Sequence, residues 1–386
     1  AEASVSGAFP PCCSSVKGLV TPGDGFAPEN HERSERSSDR EMKVGGGSVV
    51  IELRGPLLRA PCGLIPLFSC PSLVGPGESS TGLRAATIAD TVPESPDLTV
   101  VAEALDAALR GRPIASARAP GPLAVRGTPA ELAAIVGQRV TAIQRRGKFL
   151  LLDLERDRVV VNPMLTGRFQ LVGDPTASVP SKTAVVLGFG RRSVAPRVRP
   201  PFASWTRDAD WLPAHDAWPE VRYRDPSQMG KVYVLPAGLE RAVPGLAPGE
   251  IGPDIDDPDL TLDAWRGRIR RHTGEIKNLL RNQAFVAGIG NAYSDEILHA
   301  ARLLPFRKRA TLDDDEIEAL YLAARSTLAD AVVVLRERVP PTFETQVRDF
   351  LAVHMKGGQP CPRCGARITE VRAGGFVTSY CRGCQR

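Results

Sequence analysis

Apolar positions change their period three times along this chain, and each change marks a different kind of structure. From Ser95 to Leu109, in "SPDLTVVAEALDAAL", Leu98, Val101, Ala102, Leu105 and Leu109 recur at helical spacing. Ser95 is placed to cap this helix, Pro96 suits its first helical position, and Asp97 favours the positive end of its dipole. The stretch "VTAIQRRGKFLLLDLERDRVVVNPMLTGRFQLV" then gives apolar runs parted by the polar turn Glu155 to Arg158, which predicts a hairpin in a sandwich core. Short strand-like runs continue to about Leu235. From about Leu260 the helical period returns, with Ile276, Leu279 and Leu280 on one helix and Ile317, Leu320, Tyr321, Ala324 and Leu328 on another. From about Gly357 periodicity fades, and no repeat of solenoid length is present.

Residues 1–92 stand apart. Gly, Pro and Ser fill 33 of those 92 positions and periodic apolar spacing is faint, so this stretch is expected to be a disordered leader. It holds 8 basic and 10 acidic residues, so the net charge of +5 for 386 residues leaves +7 on residues 93–386. That excess suits an anionic partner such as nucleic acid. The longest apolar region, Ser48 to Val74, is broken by Glu52, Arg54, Arg59 and four prolines, so no membrane span is expected.

Four of the eight cysteines lie in "CPRCGARITEVRAGGFVTSYCRGC", with Cys361 and Cys364 separated by sixteen residues from Cys381 and Cys384. Two CxxC hooks at this separation let four thiolates close a tetrahedron around one zinc ion, and Gly365 and Gly383 suit the knuckle turns. Such a site has no open position, so the zinc is structural, and this cysteine usage points to a reducing compartment. Arg363, Arg367, Arg372, Arg382 and Arg386 make the finger basic. A zinc ribbon for protein contact stays open as the plainer reading.

Two further stretches carry chemistry. In "NQAFVAGIGNAYSDEIL", Gly288, Ile289 and Gly290 turn the chain before Asn291 opens a helix, and the amides there form a pocket for a phosphate oxygen to which the Asn291 side chain adds a donor. Taken alone, the motif fits an ordinary helix–helix turn as well. In "RRGKFLLLDL", Lys148 enters an apolar strand after Arg145 and Arg146; beside a nucleic-acid backbone this cluster holds phosphates, and otherwise it is a solvated strand edge.

Together "PESPDLTVVAEAL", "RRGKFLLLDL", "NPMLTGRF", "RYRDPSQMG", "VAGIGNAYSDEIL" and the four-cysteine finger resemble, in order, the formamidopyrimidine-DNA glycosylase and endonuclease VIII family of base-excision repair enzymes. The resemblance implies an α+β protein: a two-layered β-sandwich over residues 93–236, a helix–two-turn–helix domain over 255–340, and a zinc finger over 355–386. It also implies a monomer that binds double-stranded DNA carrying a damaged base or an abasic site, in the bacterial cytoplasm at the nucleoid.

In that family the nucleophile is an N-terminal proline followed by a glutamate, matched here by Pro93 and Glu94. A free α-amine has a pKa near ~8, against ~10.4 for lysine, and is partly unprotonated at neutral pH. By the resemblance, the Pro93 amine displaces the base at C1′ of the deoxyribose, and the iminium so formed drives β and then δ elimination. Glu94 is the general acid and base at the sugar, while Lys148 binds phosphate and assists. The damaged base must leave the stack. Lys277 and Asn291 match positions that grip the backbone near the lesion.

Departures from the family pattern are local. The residues inserted beside a flipped nucleotide match Leu165, Ser227 and Met229; Leu165 and Met229 keep an apolar wedge, and Gln228 stands next to a serine too short to reach the opposite base. The finger arginine is replaced by Phe376, so its phosphate clamp is missing or comes from another arginine. The segment "RERVPPTFETQVRDFLAVHMKGGQP" is short for a loop that covers 8-oxoguanine.

Two functional readings follow: a bifunctional glycosylase and lyase acting on oxidised bases, and a catalytically silent protein of the same fold that binds damaged or structured DNA. Pro93, Glu94 and Lys148 favour the enzyme, since a binder needs none of them. As written, however, Pro93 is joined to Val92 by an amide whose nitrogen lone pair is delocalised. The expectation is that the working protein begins at Pro93, with residues 1–92 removed or never made. No Met lies between Met42 and Met164, and Val92 is how a GTG start codon reads when taken as internal.

Overall fold

The structure, a computed structural model, describes residues 92–386 apart from Asp174 and residues 194–208. The expected leader lies outside the described residues up to position 91.

The first helix, α1 (Ser95–Leu109), buries Leu98, Val101, Ala102, Leu105 and Leu109, the stripe read from its spacing. Its cap is Glu94 rather than Ser95: Glu94 is extended, and the Ser95 N–H is taken by the carbonyl of Gly288 at 3.0 Å. Asp97 reaches back to accept the Glu94 N–H at 2.8 Å.

The sandwich follows. One sheet is antiparallel, ordered β1 (Ile114–Arg118), β7 (Thr183–Phe189), β8 (Glu220–Arg224) and β6 (Arg168–Val172). The other is ordered β2 (Val125–Arg126), β9 (Lys231–Leu235), β5 (Arg158–Asn162), β4 (Phe149–Leu154) and β3 (Val140–Arg146), with β2 parallel to β9. A short helix, α2 (Pro129–Ala134), lies between β2 and β3. The hairpin expected at Glu155 to Arg158 is the β4–β5 turn, with Asp153 facing Arg158. Leu150, Leu152, Val159, Val161, Phe169, Val185, Leu187 and Val232 fill one core with α1, and each such side chain stabilises the fold by about 1.5–3 kcal/mol relative to exposure.

The helical part comprises α3 (Leu262–Ile269), α4 (Ile276–Arg281), α5 (Asn291–Ala300) and α6 (Asp314–Arg338). The predicted stripe Ile317, Leu320, Ala324 and Leu328 is buried on α6 with Trp265, Leu279 and Leu280, in a second core. Tyr321 is half-buried and donates to the Leu260 carbonyl at 2.9 Å. The far end of α6 crosses to the sandwich, where Leu335, Val339 and Phe343 join the first core. One helix thereby ties the two parts together.

Arg145 and Arg146 form a second tie. Arg145 pairs with Asp254 and Asp256, and Arg146 pairs with Asp254 at 2.7 Å while donating to the Gly252 carbonyl at the same distance. The reading of these arginines as phosphate holders is thus corrected: acidic residues 108 to 111 positions away occupy them. The finger is a hairpin, β10 (Ile368–Ala373) and β11 (Phe376–Cys381), whose two-residue turn is Gly374 and Gly375. Both have positive φ, as such a turn requires.

Candidate active site

Helix α5 begins at Asn291 after Gly290, as the glycine pattern predicts, but no phosphate pocket is left open there. The Glu94 carboxylate fills it, accepting the N–H groups of Gly290 at 2.6 Å, Ala292 at 2.8 Å and Tyr293 at 3.3 Å. Helix N-termini attract anions because their first amides lack partners in the helix, and here the anion is the chain's own. Glycine is required at the contact: a Cβ on Gly290 would stand 2.6 Å from Glu94 Oε1. Gly288, at φ +92°, brings its carbonyl to Ser95, and a Cβ there would lie 2.5 Å from the Ser95 Cβ.

Pro93, next to this anchored carboxylate, is buried and lines a small cavity with Asp97, Gly167, Arg168, Phe343 and Gln346. The Val92 carbonyl, the acyl partner of the Pro93 nitrogen, accepts a hydrogen bond from Gln346 at 3.1 Å. Asp97, which holds the Glu94 N–H, pairs with Arg348, and the Arg348 guanidinium lies 5.1 Å from the centroid of the Tyr293 ring. Burial opposes the Arg348 charge, yet Asp97 outweighs it and raises the arginine pKa.

Lys148 stands in the tight turn between β3 and β4, not within a strand, and is half-buried. Its pKa is pushed down, first by desolvation; Glu94 pulls it back up and Arg281 adds to the fall. Among the described residues it makes no hydrogen bond or ion pair. Lys148 thus lies within the electrostatic reach of Glu94, the residue that follows Pro93.

Lys277 and Asn291 are brought together against the finger. Lys277 pairs with Asp295 and donates to the Val377 carbonyl at 3.0 Å, and the Asn291 amide donates to that same carbonyl at 2.9 Å. Both side chains are buried.

The loops carrying Leu165, Gln228 and Met229 meet at Asp225. Its carboxylate accepts from Thr166 Oγ1 at 2.5 Å, Ser227 Oγ at 2.8 Å and the Gly230 N–H at 2.6 Å. Burial works to raise the Asp225 pKa, and these hydrogen bonds more than offset it, so the pKa is lowered. Met229 is 45% exposed and Gln228 is exposed at φ 57°. At the other loop the exposed apolar tip is Met164, with φ 50°, while Leu165 is half-buried. Met164, Arg281 and Arg348 escaped the sequence reading. Only Arg281 had a signal, its position four residues after Lys277.

The four cysteine sulfurs lie within 4.8 Å of one another, with Cys361 to Cys384 at 3.8 Å and Cys364 to Cys381 at 3.4 Å. Zinc–thiolate bonds of about 2.3 Å in a tetrahedron put sulfurs roughly 3.8 Å apart, so the set fits one structural zinc. Gly383 is needed for closeness, since its Cβ would lie 3.0 Å from Cys364 Sγ. His299 Nε2, 3.3 Å from Cys361 Sγ, and Arg363, which donates to the His299 carbonyl at 2.6 Å, brace the site from α5.

A β-sandwich whose proline–glutamate pair is bound by a helical domain, with a four-cysteine finger docked on that domain, defines a DNA-repair glycosylase. Three family models match in order: the formamidopyrimidine-DNA glycosylase N-terminal domain over residues 92–232, the H2TH domain of the same enzymes over 251–339, and the zinc finger found in FPG and IleRS over 358–386. The chain belongs to the formamidopyrimidine-DNA glycosylase family. It is 30% identical over 303 residues to the formamidopyrimidine-DNA glycosylase of Exiguobacterium sibiricum, covering 76% of this chain and 99% of that one. It is 32% identical over 306 residues to that of Symbiobacterium thermophilum, covering 76% and 89%. In fold it is similar to Lactococcus lactis Fpg in complex with DNA containing an abasic site, with a TM-score of 0.63, 23% identity, and 76% and 99% of the chains covered. No helix among the described residues is long and apolar enough to cross a membrane.

Proposed function

We propose that this protein is a base-excision repair glycosylase that removes oxidised bases from double-stranded DNA and then cuts the strand at the abasic site. The observation that carries this reading is the Glu94 carboxylate, fixed by three backbone amides beside Pro93 and in the field of Lys148. A carboxylate held in this way cannot swing away from the sugar bound at Pro93, which is what a general acid and base requires.

The working nucleophile is the Pro93 nitrogen as a free secondary amine, in a protein whose first residue is Pro93. Its lone pair attacks C1′, and the bond from C1′ to the base breaks as the base takes up a proton. The proton shed by the Pro93 nitrogen passes to the Glu94 carboxylate, which delivers it to O4′ as the ring opens and leaves a C1′–N iminium. Loss of a C2′ proton expels the 3′ phosphate, and a second proton loss expels the 5′ phosphate. Lys148, whose charge burial disfavours, gains a phosphate as counter-ion. Met164, Leu165, Gln228 and Met229 fill the gap left by the flipped nucleotide.

By this reading residues 93–236 form the catalytic domain, 255–340 and 355–386 grip the duplex, and residues 1–92 are absent from the working enzyme, which acts in the bacterial cytoplasm at the nucleoid. The zinc is structural and holds the finger hairpin.

The segment after α6 favours ring-opened purines or oxidised pyrimidines over 8-oxoguanine. It is short and pinned at several points: Val339, Phe343, Leu351 and Val353 are buried, Gln346 bonds to Val92, and Arg348 pairs with Asp97. Single-turnover cleavage by residues 93–386 of duplexes carrying each lesion tests this. The expected rates for ring-opened purine or oxidised pyrimidine exceed that for 8-oxoguanine by roughly tenfold or more. An 8-oxoguanine rate above both overturns the preference, and no cleavage of any lesion or abasic duplex overturns the enzyme in favour of the silent binder.

A further inference from the structure

Arg281 is the last residue of α4, one helical turn after Lys277, so the two side chains leave the same face of that helix. Their situations differ. Lys277 is committed to Asp295 and the Val377 carbonyl. Arg281 makes no side-chain hydrogen bond and no ion pair among the described residues. Its guanidinium rests on an aromatic ring instead, with Cζ 3.9 Å from the centroid of Phe376.

Phe376 opens β11 and directly precedes Val377, whose carbonyl takes the donors of both Lys277 and Asn291. The finger is thereby docked on α4 and α5, and the ring under Arg281 is fixed by that docking. An arginine seated against a ring keeps the edge of its planar fork free for bidentate bonding to phosphate oxygens. Lys148, the neighbouring cation without a bonded partner, lies within the field of Arg281. Of the carboxylates whose fields reach them, Glu94 accepts three backbone amides, Asp295 pairs with Lys277 and Asp97 pairs with Arg348. Two half-buried cations with donors to offer and, among the described residues, no carboxylate bonded to either mark a place for an anion.

We infer that Arg281, held in place by the Phe376 ring, is a phosphate-binding residue for the damaged strand. This rests on the repair reading, which supplies the phosphate. Desolvation lowers the Arg281 pKa, and a bound phosphate relieves that penalty.

The test is the salt dependence of binding, measured with zinc-loaded residues 93–386, the working form proposed above, and a duplex containing a tetrahydrofuran abasic-site analogue. The slope of log affinity against log salt counts phosphates neutralised, at about 0.9 per contact. Arg281→Leu is expected to reduce the slope by about 0.9 and to weaken binding roughly tenfold. Arg281→Lys, which keeps the charge, is expected to keep the slope. Unchanged zinc content and melting temperature in both variants exclude a folding defect as the cause. An Arg281→Leu protein with the slope of the parent overturns this inference alone, whereas a parent chain that does not hold the abasic duplex overturns the repair reading and this inference with it.

Discussion

The Glu94 carboxylate accepts the backbone N–H of Gly290 at 2.6 Å, across 196 positions of sequence. This bond joins the start of the sandwich to the start of α5, and it fixes the carboxylate that we propose as the acid and base. The site is built at a domain junction, so its geometry depends on both domains keeping their relative place. Helix α6, which enters both cores, and the pairing of Arg145 and Arg146 with Asp254 keep it.

Gly290→Ala tests that bond. The added methyl would lie 2.6 Å from Glu94 Oε1 and force the carboxylate off the helix. Cleavage at an abasic site is expected to fall by roughly 100-fold or more, with zinc content unchanged. Wild-type cleavage by this variant would show that the carboxylate position does not matter.

Lys148→Met is expected to separate stability from activity. Burial disfavours the Lys148 charge in the folded protein and lowers its pKa from the ordinary 10.5. The unfolded chain therefore binds more protons between the folded pKa and 10.5, and the cost is fully present below the folded pKa and is relieved as pH rises through that window. At pH ~7 the variant is expected to melt higher than the parent, with the gap closing toward the lysine range, while strand cleavage falls roughly 100-fold. Thermal melts across pH check the first expectation and abasic-site cleavage the second.

Cys381→Ser is expected to lose the zinc and unfold the finger while the sandwich stays folded, because thiolate ligation supplies much of the folding free energy of so small a module. Val377 would then no longer hold Lys277 and Asn291, so abasic-site DNA binding is expected to fail. Metal analysis, circular dichroism and a binding titration report the three effects, and full DNA affinity without zinc would contradict them.

Local pattern made much of this fold legible. The stripe on α1, the hairpin around Glu155, the stripe on α6 and the spacing of the four cysteines each state their structure through neighbours a few residues away. What stayed hidden lies in long-range pairing. The basic run Arg145–Arg146 looks like a phosphate grip until Asp254 and Asp256 are placed beside it, more than a hundred positions later. The turn at Gly288–Gly290 looks open to phosphate until Glu94 is seen in it. At the loop tip, a positive φ at Met164 turns that residue outward in preference to Leu165. Arg281 gained meaning only from the ring of Phe376 beneath it.

The central claim is that the Pro93 nitrogen, freed from its amide with Val92, is the nucleophile. The direct measurement is borohydride trapping on abasic-site DNA, comparing residues 93–386 bearing an exposed proline with the 386-residue chain, and locating the adduct by peptide mass. The account predicts a covalent adduct on Pro93 in the shorter form, lost in Pro93→Gly and in N-terminally acetylated protein, and none on Pro93 in the intact longer chain. Equal trapping through Pro93 by the intact longer chain, or no trapping by the shorter form, would contradict it.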